Sequence, residues 1–334
     1  MKNIVVFIDG TGQDRSRQEV EYRTNVSRLY EACRHIDGSL QVCKYCDGVG
    51  TEDYEEFTGN AFGIGLEKRI VEAYLFLQQE VGAARKRGED YRIFLFGFSR
   101  GAFAVRWLAA VLKFSGIPEF GRSERPGLYN CWKSDIDAAE RLRAQGDQYD
   151  VNVRMIGVWD TVQSTLTSDF DVPKLPDNVD FARHAMSLDE YRYMFPVTHF
   201  IPDPKRVEEV WFAGCHADVG DGYRNGFVTA DAALTWMVLR AEEKGLIVER
   251  ALLGLKPELW DFKPVIHDEL RDAPLKLRIV WKLTNWIHLV NKAKRRVDSG
   301  GVIHSTVRKW KEKFDISHFQ DMSECQIYPE EAWG

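Results

Sequence analysis

The stretch that most limits how this 334-residue chain can fold is RIFLFGFSRGAFAVRW, residues 92–107. It opens with an apolar run of strand length that does not alternate with polar residues, as expected of a strand covered on both faces. Gly97-Phe98-Ser99-Arg100-Gly101 follows, and then a segment apolar on all sides that predicts a buried helix. A strand that turns into a helix within so few residues needs glycines where backbone meets backbone, and it leaves the serine hydroxyl standing at the end of the strand. Such a unit belongs in a mostly parallel sheet packed between helices.

The rest of the chain repeats that rhythm. Short apolar runs at 3–8, 40–46, 151–159 and 207–215 predict further strands. Residues 24–36 begin with a Thr-Asn cap signal, and 62–87 place Leu66, Ile70, Ala73, Tyr74, Leu77, Val81 and Ala84 on one helical stripe. Strand and helix alternate as far as about residue 240, which predicts an α/β fold with helices on both faces of the sheet. Residues 115–150 and 163–206, rich in Pro, Gly, Asp and Ser, read as cap insertions. The expected organisation is a core over 1–245 and a C-terminal helical cap extension, 246–334, packed on it.

Composition narrows the function classes. A net charge of -6 gives no global attraction to nucleic acid or anionic lipid. The five apolar residues ahead of Asp9 are too few for a secretory h-region, and no stretch has the ~18 apolar residues of a membrane span, so a cytoplasmic protein, or one exported without a signal peptide, is expected. The six cysteines (33, 43, 46, 131, 215, 325) contain one CxxC pair, Cys43 and Cys46, and no second pair to complete a zinc site. Reduced, buried thiols are expected of them.

In its strand-turn-helix context, Gly97-Phe98-Ser99-Arg100-Gly101 reads as a nucleophile elbow. A serine needs a base and an acid to orient that base, both on later strand ends. Asp160 in MIGVWDTVQS and His216 in VWFAGCHADVGDGY stand just past the next two predicted strands. The order serine, aspartate, histidine is that of α/β-hydrolases. His304 in GGVIHSTVRKW is the rival base, and Asp218 would then be the better acid. The other histidines (35, 184, 199, 267, 288, 318) read as surface or structural.

Seven segments in order, FIDGTG, TNVSRL, DGVGT, GFSRGAFAVR, GVWDTV, AMSLDEYR and VWFAGCHADVGDGY, resemble the α/β-hydrolase family long filed as a domain of unknown function, which includes the family-one type VI secretion phospholipase effectors. The resemblance covers roughly residues 1–240. It implies a serine, aspartate and histidine triad, which by motif falls on Ser99, Asp160 and His216, and it favours His216 over His304. Asp221 stands where the family usually has glycine, which adds a carboxylate near the site.

The opening strand ends in Asp9-Gly10-Thr11-Gly12. A haloacid-dehalogenase phosphotransferase would carry its nucleophilic aspartate two residues earlier, where this chain has Phe7, so that reading fails. An oxyanion hole needs one backbone N–H after the nucleophile and one from an early strand-to-helix loop. Arg100 supplies the first, and Gly10, Thr11 or Gly12 the second. Asp9 would then point away from the hole, holding the turn or pairing with Arg100 or Arg23.

Residues 275–297 carry seven Lys or Arg, no Asp or Glu, and two Trp in a chain that is acidic overall. They read as a membrane-surface or lid segment, which together with the resemblance favours acyl-ester lipids as substrates, with no cofactor required. Three alternatives stand beside this reading: an esterase for small soluble esters, a metal-dependent phosphoesterase using Asp9, Asp160, Asp218 and Asp221, and a non-catalytic binding protein.

Overall fold

The computed structural model describes residues 1–10, 23–48, 59–118, 148–162, 174–223, 227–255, 261–272, 275–287, 295, 297–314 and 325–329. Strands β1 (Lys2–Ile8), β2 (Gln41–Cys46), β3 (Tyr91–Phe98), β6 (Val153–Trp159), β7 (Val179–Ser187), β8 (Val207–Phe212), β9 (Val302–His304) and β10 (Gln326–Tyr328) form one sheet in the order β10-β9-β8-β7-β6-β3-β1-β2. Every pairing in it is parallel. From β1 the sheet grows one way to β2 and the other way to β3, so the crevice where binding sites form in such sheets opens at the carboxyl ends of β1 and β3.

Side-chain alternation along β1 divides the core. Ile4, Val6 and Ile8 face a layer built from α2 (Gly59–Lys86) and α3 (Arg100–Ser115). Val5 and Phe7 face the other way, toward α1 (Asn25–Arg34) and α5 (Phe227–Glu242). The stripe read along 62–87 is realised: Leu66, Ile70, Ala73, Tyr74, Leu77, Val81 and Ala84 are all buried. Helix α1 starts where Thr24 caps it, its hydroxyl accepting the Ser27 N–H at 3.1 Å. Helices on both faces of an open parallel sheet are the architecture the sequence predicts.

Two boundaries differ from the sequence reading. Residues 179–187, expected inside an insertion, form β7 between β6 and β8. Arg183 and His184 interrupt the apolar pattern there, and both are buried because polar partners meet them inside the sheet. The stretch beyond 245 is not only a cap: besides the one-turn helix α6 (Glu269–Asp272), it supplies β9, β10 and the helix α8 (Ser305–Phe314) to the sheet and its flank. The ends of the 115–150 excursion meet as a short ladder, β4 (Ile117–Pro118) with β5 (Gln148–Tyr149). Residues 119–147 and 163–173 of the expected insertions lie outside the described residues.

Candidate active site

The turn after β3 is closed by two glycines. A Cβ at Gly97 would lie 2.4 Å from the Gly101 carbonyl oxygen, and one at Gly101 would lie 2.1 Å from that of Ile8, so only hydrogen fits where α3 begins. Ser99 between them has φ 58°, a conformation that costs a non-glycine residue roughly 1–3 kcal/mol. Neighbouring backbone holds it there: its N–H donates to Trp159 O at 3.0 Å and its carbonyl accepts from Phe103 N at 3.3 Å. The strain keeps the side chain off the helix axis and at the carboxyl edge of the sheet.

Register brings the other groups to the same edge. Phe98 pairs with Trp159, so Asp160 leaves β6 beside Ser99, and its N–H donates to Ala185 O at 2.7 Å. His216 opens a one-turn helix, α4 (His216–Gly220), just past β8, and its ring reaches back across the strand ends. His216 Nε2 lies 2.7 Å from Ser99 Oγ and His216 Nδ1 lies 2.6 Å from Asp160 Oδ2. With Asp160 ionised, Nδ1–H donates to the carboxylate and Nε2 is left to accept from the serine hydroxyl. The imidazole is held between Phe98 and Phe195, with ring centroids 4.6 and 5.2 Å away.

Electrostatics suit a neutral base beside a charged acid. Burial favours the neutral form of His216 and outweighs the pull of Asp160, so its pKa is lowered. Burial alone would raise the pKa of Asp160. The Arg295 guanidinium beside it and the hydrogen bond from His216 overcome that and hold it well below the usual carboxylate range. Arg295 Nη1 sits 2.5 Å from Asp160 Oδ1 and also donates to Ser187 O and Oγ, while Nη2 donates to Phe195 O. The Ser187 N–H gives Oδ1 a further hydrogen bond at 2.9 Å.

The remaining sequence candidates take other places. His304 is buried, stacked on Phe212 and Tyr328, and its Nδ1 lies 2.8 Å from Thr306 Oγ1. Asp218 accepts the Cys215 N–H and both the N–H and the ring Nδ1 of His267, which fixes the start of α4. Asp221 pairs with Arg28 at 2.9 Å, yet burial still pushes its pKa up to about 6. Asp9 accepts from the Gly10 N–H, the Thr24 hydroxyl and the Tyr45 hydroxyl, and so holds the turn. The four aspartates do not converge, and among the described residues no group of three or more His, Cys, Asp or Glu could hold a metal ion. Gly10 lies against the serine, since a Cβ there would be 3.4 Å from Ser99 Cβ, but its N–H is given to Asp9. Thr11 and Gly12 lie outside the described residues.

Several supporting residues escape the sequence reading. Arg295 sits in a basic run that marks no single member for burial. His184, read as surface or structural, is buried, accepts the Thr161 N–H through Nε2 at 3.0 Å and is held from behind by Glu209, which fixes the loop carrying Asp160. Glu190 and Arg192 form a buried forked ion pair beside His216, whose N–H points at Glu190 Oε2 at 3.3 Å. Both lie in AMSLDEYR, one of the seven segments that carry the family resemblance.

A protein-family model described as the type VI secretion system phospholipase effector Tle1-like catalytic domain matches residues 2–240. The uncharacterized protein YEL023C of Saccharomyces cerevisiae is 29% identical over 235 residues, covering 61% of this chain and 33% of that protein. The chain thus spans about a third of that relative's length. Among solved structures, a Tle1 effector bound to the VgrG spike of the type VI secretion system is similar at a TM-score of 0.38 and 19% identity, over 66% of this chain and 51% of the effector. A cutinase-like protein from Cryptococcus sp. is similar at 0.31 and 15%, over 76% and 97% of the two chains. The RedJ thioesterase of Streptomyces coelicolor is similar at 0.33 and 13%, over 70% and 84%.

Proposed function

The chain belongs to the family of type VI secretion phospholipase effectors with a Tle1-like catalytic domain, and on that premise we propose that it is a serine hydrolase of acyl-ester lipids. The observation that carries the reading is the unbroken hydrogen-bond path from Ser99 through His216 to Asp160. In the proposed reaction His216 Nε2 takes the Ser99 proton as Oγ attacks the ester carbonyl. Asp160 keeps the other ring nitrogen protonated and stabilises the imidazolium. The tetrahedral oxyanion is met by backbone N–H groups, that of Arg100, the residue after the nucleophile, being one. The imidazolium then protonates the leaving alkoxide, and water activated by His216 releases the acid and restores the serine.

Cleavage of small soluble esters would use the same residues, and the family membership favours lipid over that alternative. A phosphoesterase built on Asp9, Asp160, Asp218 and Asp221 has less support, because each carboxylate is engaged by a different partner. The test is reaction with a fluorophosphonate followed by peptide mapping, and then turnover of phospholipid and short-chain ester panels. One adduct on Ser99, absent from Ser99→Ala and strongly slowed in His216→Ala, is the expected result. A folded protein that does not react would overturn the proposal. Turnover of short esters with none of phospholipid would move the reading to the soluble-ester class.

A further inference from the structure

Helix α7 (Leu275–Ile287) presents two unlike faces. Its inner face is anchored. Trp281 is buried edge-on to Phe195 at 5.8 Å, and Phe195 in turn packs on His216. The buried Asn285 accepts the Tyr193 N–H and donates to the Tyr191 carbonyl. Its outer face holds Leu275, Ile279, Leu283 and Trp286, spaced by four, four and three residues and so aligned on one stripe. They are 65, 57, 51 and 72% exposed. Thirteen large apolar side chains stand exposed among the described residues, and four of them belong to this one helix, which makes the stripe a patch rather than scatter.

Charge indicates what covers it. Lys282 is exposed and Arg278 partly so, and α7 itself carries Lys276, Arg278 and Lys282 and no acidic residue in a chain of net charge -6. Two copies meeting stripe to stripe would bring those cations together. An anionic bilayer surface accepts both features, since apolar side chains enter at the acyl boundary, Trp seats at headgroup level and basic residues meet phosphate. At 1.5 Å per residue the helix is about 20 Å long, too short for a ~30 Å hydrocarbon core, so it would lie in the interface plane.

We propose that α7 is a docking face for anionic phospholipid membrane, one aromatic ring away from His216, so that the site is held at the surface that presents its substrate. This rests on the reading of the protein as a lipid hydrolase, but its test does not use turnover. Full-length Ser99→Ala protein is floated with phosphatidylcholine vesicles and with vesicles in which part of that lipid is replaced by phosphatidylglycerol. Flotation is expected with the second kind and is weakened by salt. Ile279→Glu with Leu283→Glu should lower partitioning at least about tenfold, because each apolar side chain kept from the acyl boundary forfeits burial and each new carboxylate meets anionic lipid. The same double substitution in the Ser99 protein should keep fluorophosphonate reactivity, which reports a folded site. Equal flotation of both proteins, no flotation of either, or a dimer that the double substitution dissociates would overturn the inference. Flotation by a protein that never reacts with the probe would overturn the hydrolase reading and leave the docking face standing.

Discussion

Replacing Arg295 by methionine keeps most of the side chain's length and removes the cation that touches Asp160. The pair is deeply buried, with side-chain exposures of 6% and 0%, and the contact is 2.5 Å. Removing one partner of such a pair leaves an uncompensated buried charge and costs on the order of 3–5 kcal/mol. Asp160 would keep its hydrogen bonds from His216 and Ser187, which favours the lower end of that range. Set against a total stability of roughly 5–15 kcal/mol, the variant should fold but unfold at clearly lower urea. The pKa of Asp160 is depressed in the folded state, so its contribution is present above the ordinary carboxylate pKa and is lost only as pH falls through the folded value. The stability gap between wild type and Arg295→Met should therefore be full at pH 7 and close only in strong acid. Without the cation, Asp160 favours the imidazolium more strongly, the pKa of His216 rises, and the acid limb of kcat/KM moves to higher pH. Asp160→Asn completes a double-mutant cycle in which the two losses should be far from additive. Stability within about 0.5 kcal/mol of wild type together with an unmoved acid limb would refute the coupling of Arg295 to the site.

Asp9 tests the opposite sign. Burial pushes its carboxyl up to about 6, so the folded state holds that proton more tightly than the unfolded chain and loses stability as pH rises from about 4 through 6. Asp9→Asn should remove that slope, and urea midpoints across pH 4 to 8 should show the variant gaining up to about 3 kcal/mol on wild type; parallel curves would mean the carboxyl is ionised throughout. His304→Gln should leave fluorophosphonate labelling of Ser99 within about threefold of wild type, because that ring contacts Phe212, Tyr328 and Thr306 and burial lowers its pKa to about 3; abolished labelling in a folded protein would reinstate it as the base. Gly101→Ala puts a Cβ 2.1 Å from the Ile8 carbonyl oxygen and should cost more than about 3 kcal/mol or prevent soluble expression, read by urea unfolding of whatever soluble protein is recovered.

Local sequence determined much of this protein. The apolar run before Gly97 has no polar face, so it could only be a central strand, and the two glycines around Ser99 required a strand-to-helix turn too tight for any side chain. The heptad-like stripe of α2 and the Thr24 cap were equally legible, since each depends on residues within a few positions of one another. Strand β7 was not, because Arg183 and His184 are polar along the chain and their burial depends on partners that the fold brings to them, Arg206 O and Glu208 for the one and Glu209 and the Thr161 N–H for the other. Arg295 was invisible for the same reason on a larger scale: a guanidinium is buried where a carboxylate meets it, and Asp160 lies 135 residues earlier. Sequence placed Ser99, Asp160 and His216 past three predicted strands, but the sheet decided that β3 and β6 adjoin and that His216, one strand further on past β8, is the histidine that reaches back to the serine. Hydrogen bonding and desolvation act over a few ångströms of space, and only the tertiary fold sets which residues share them.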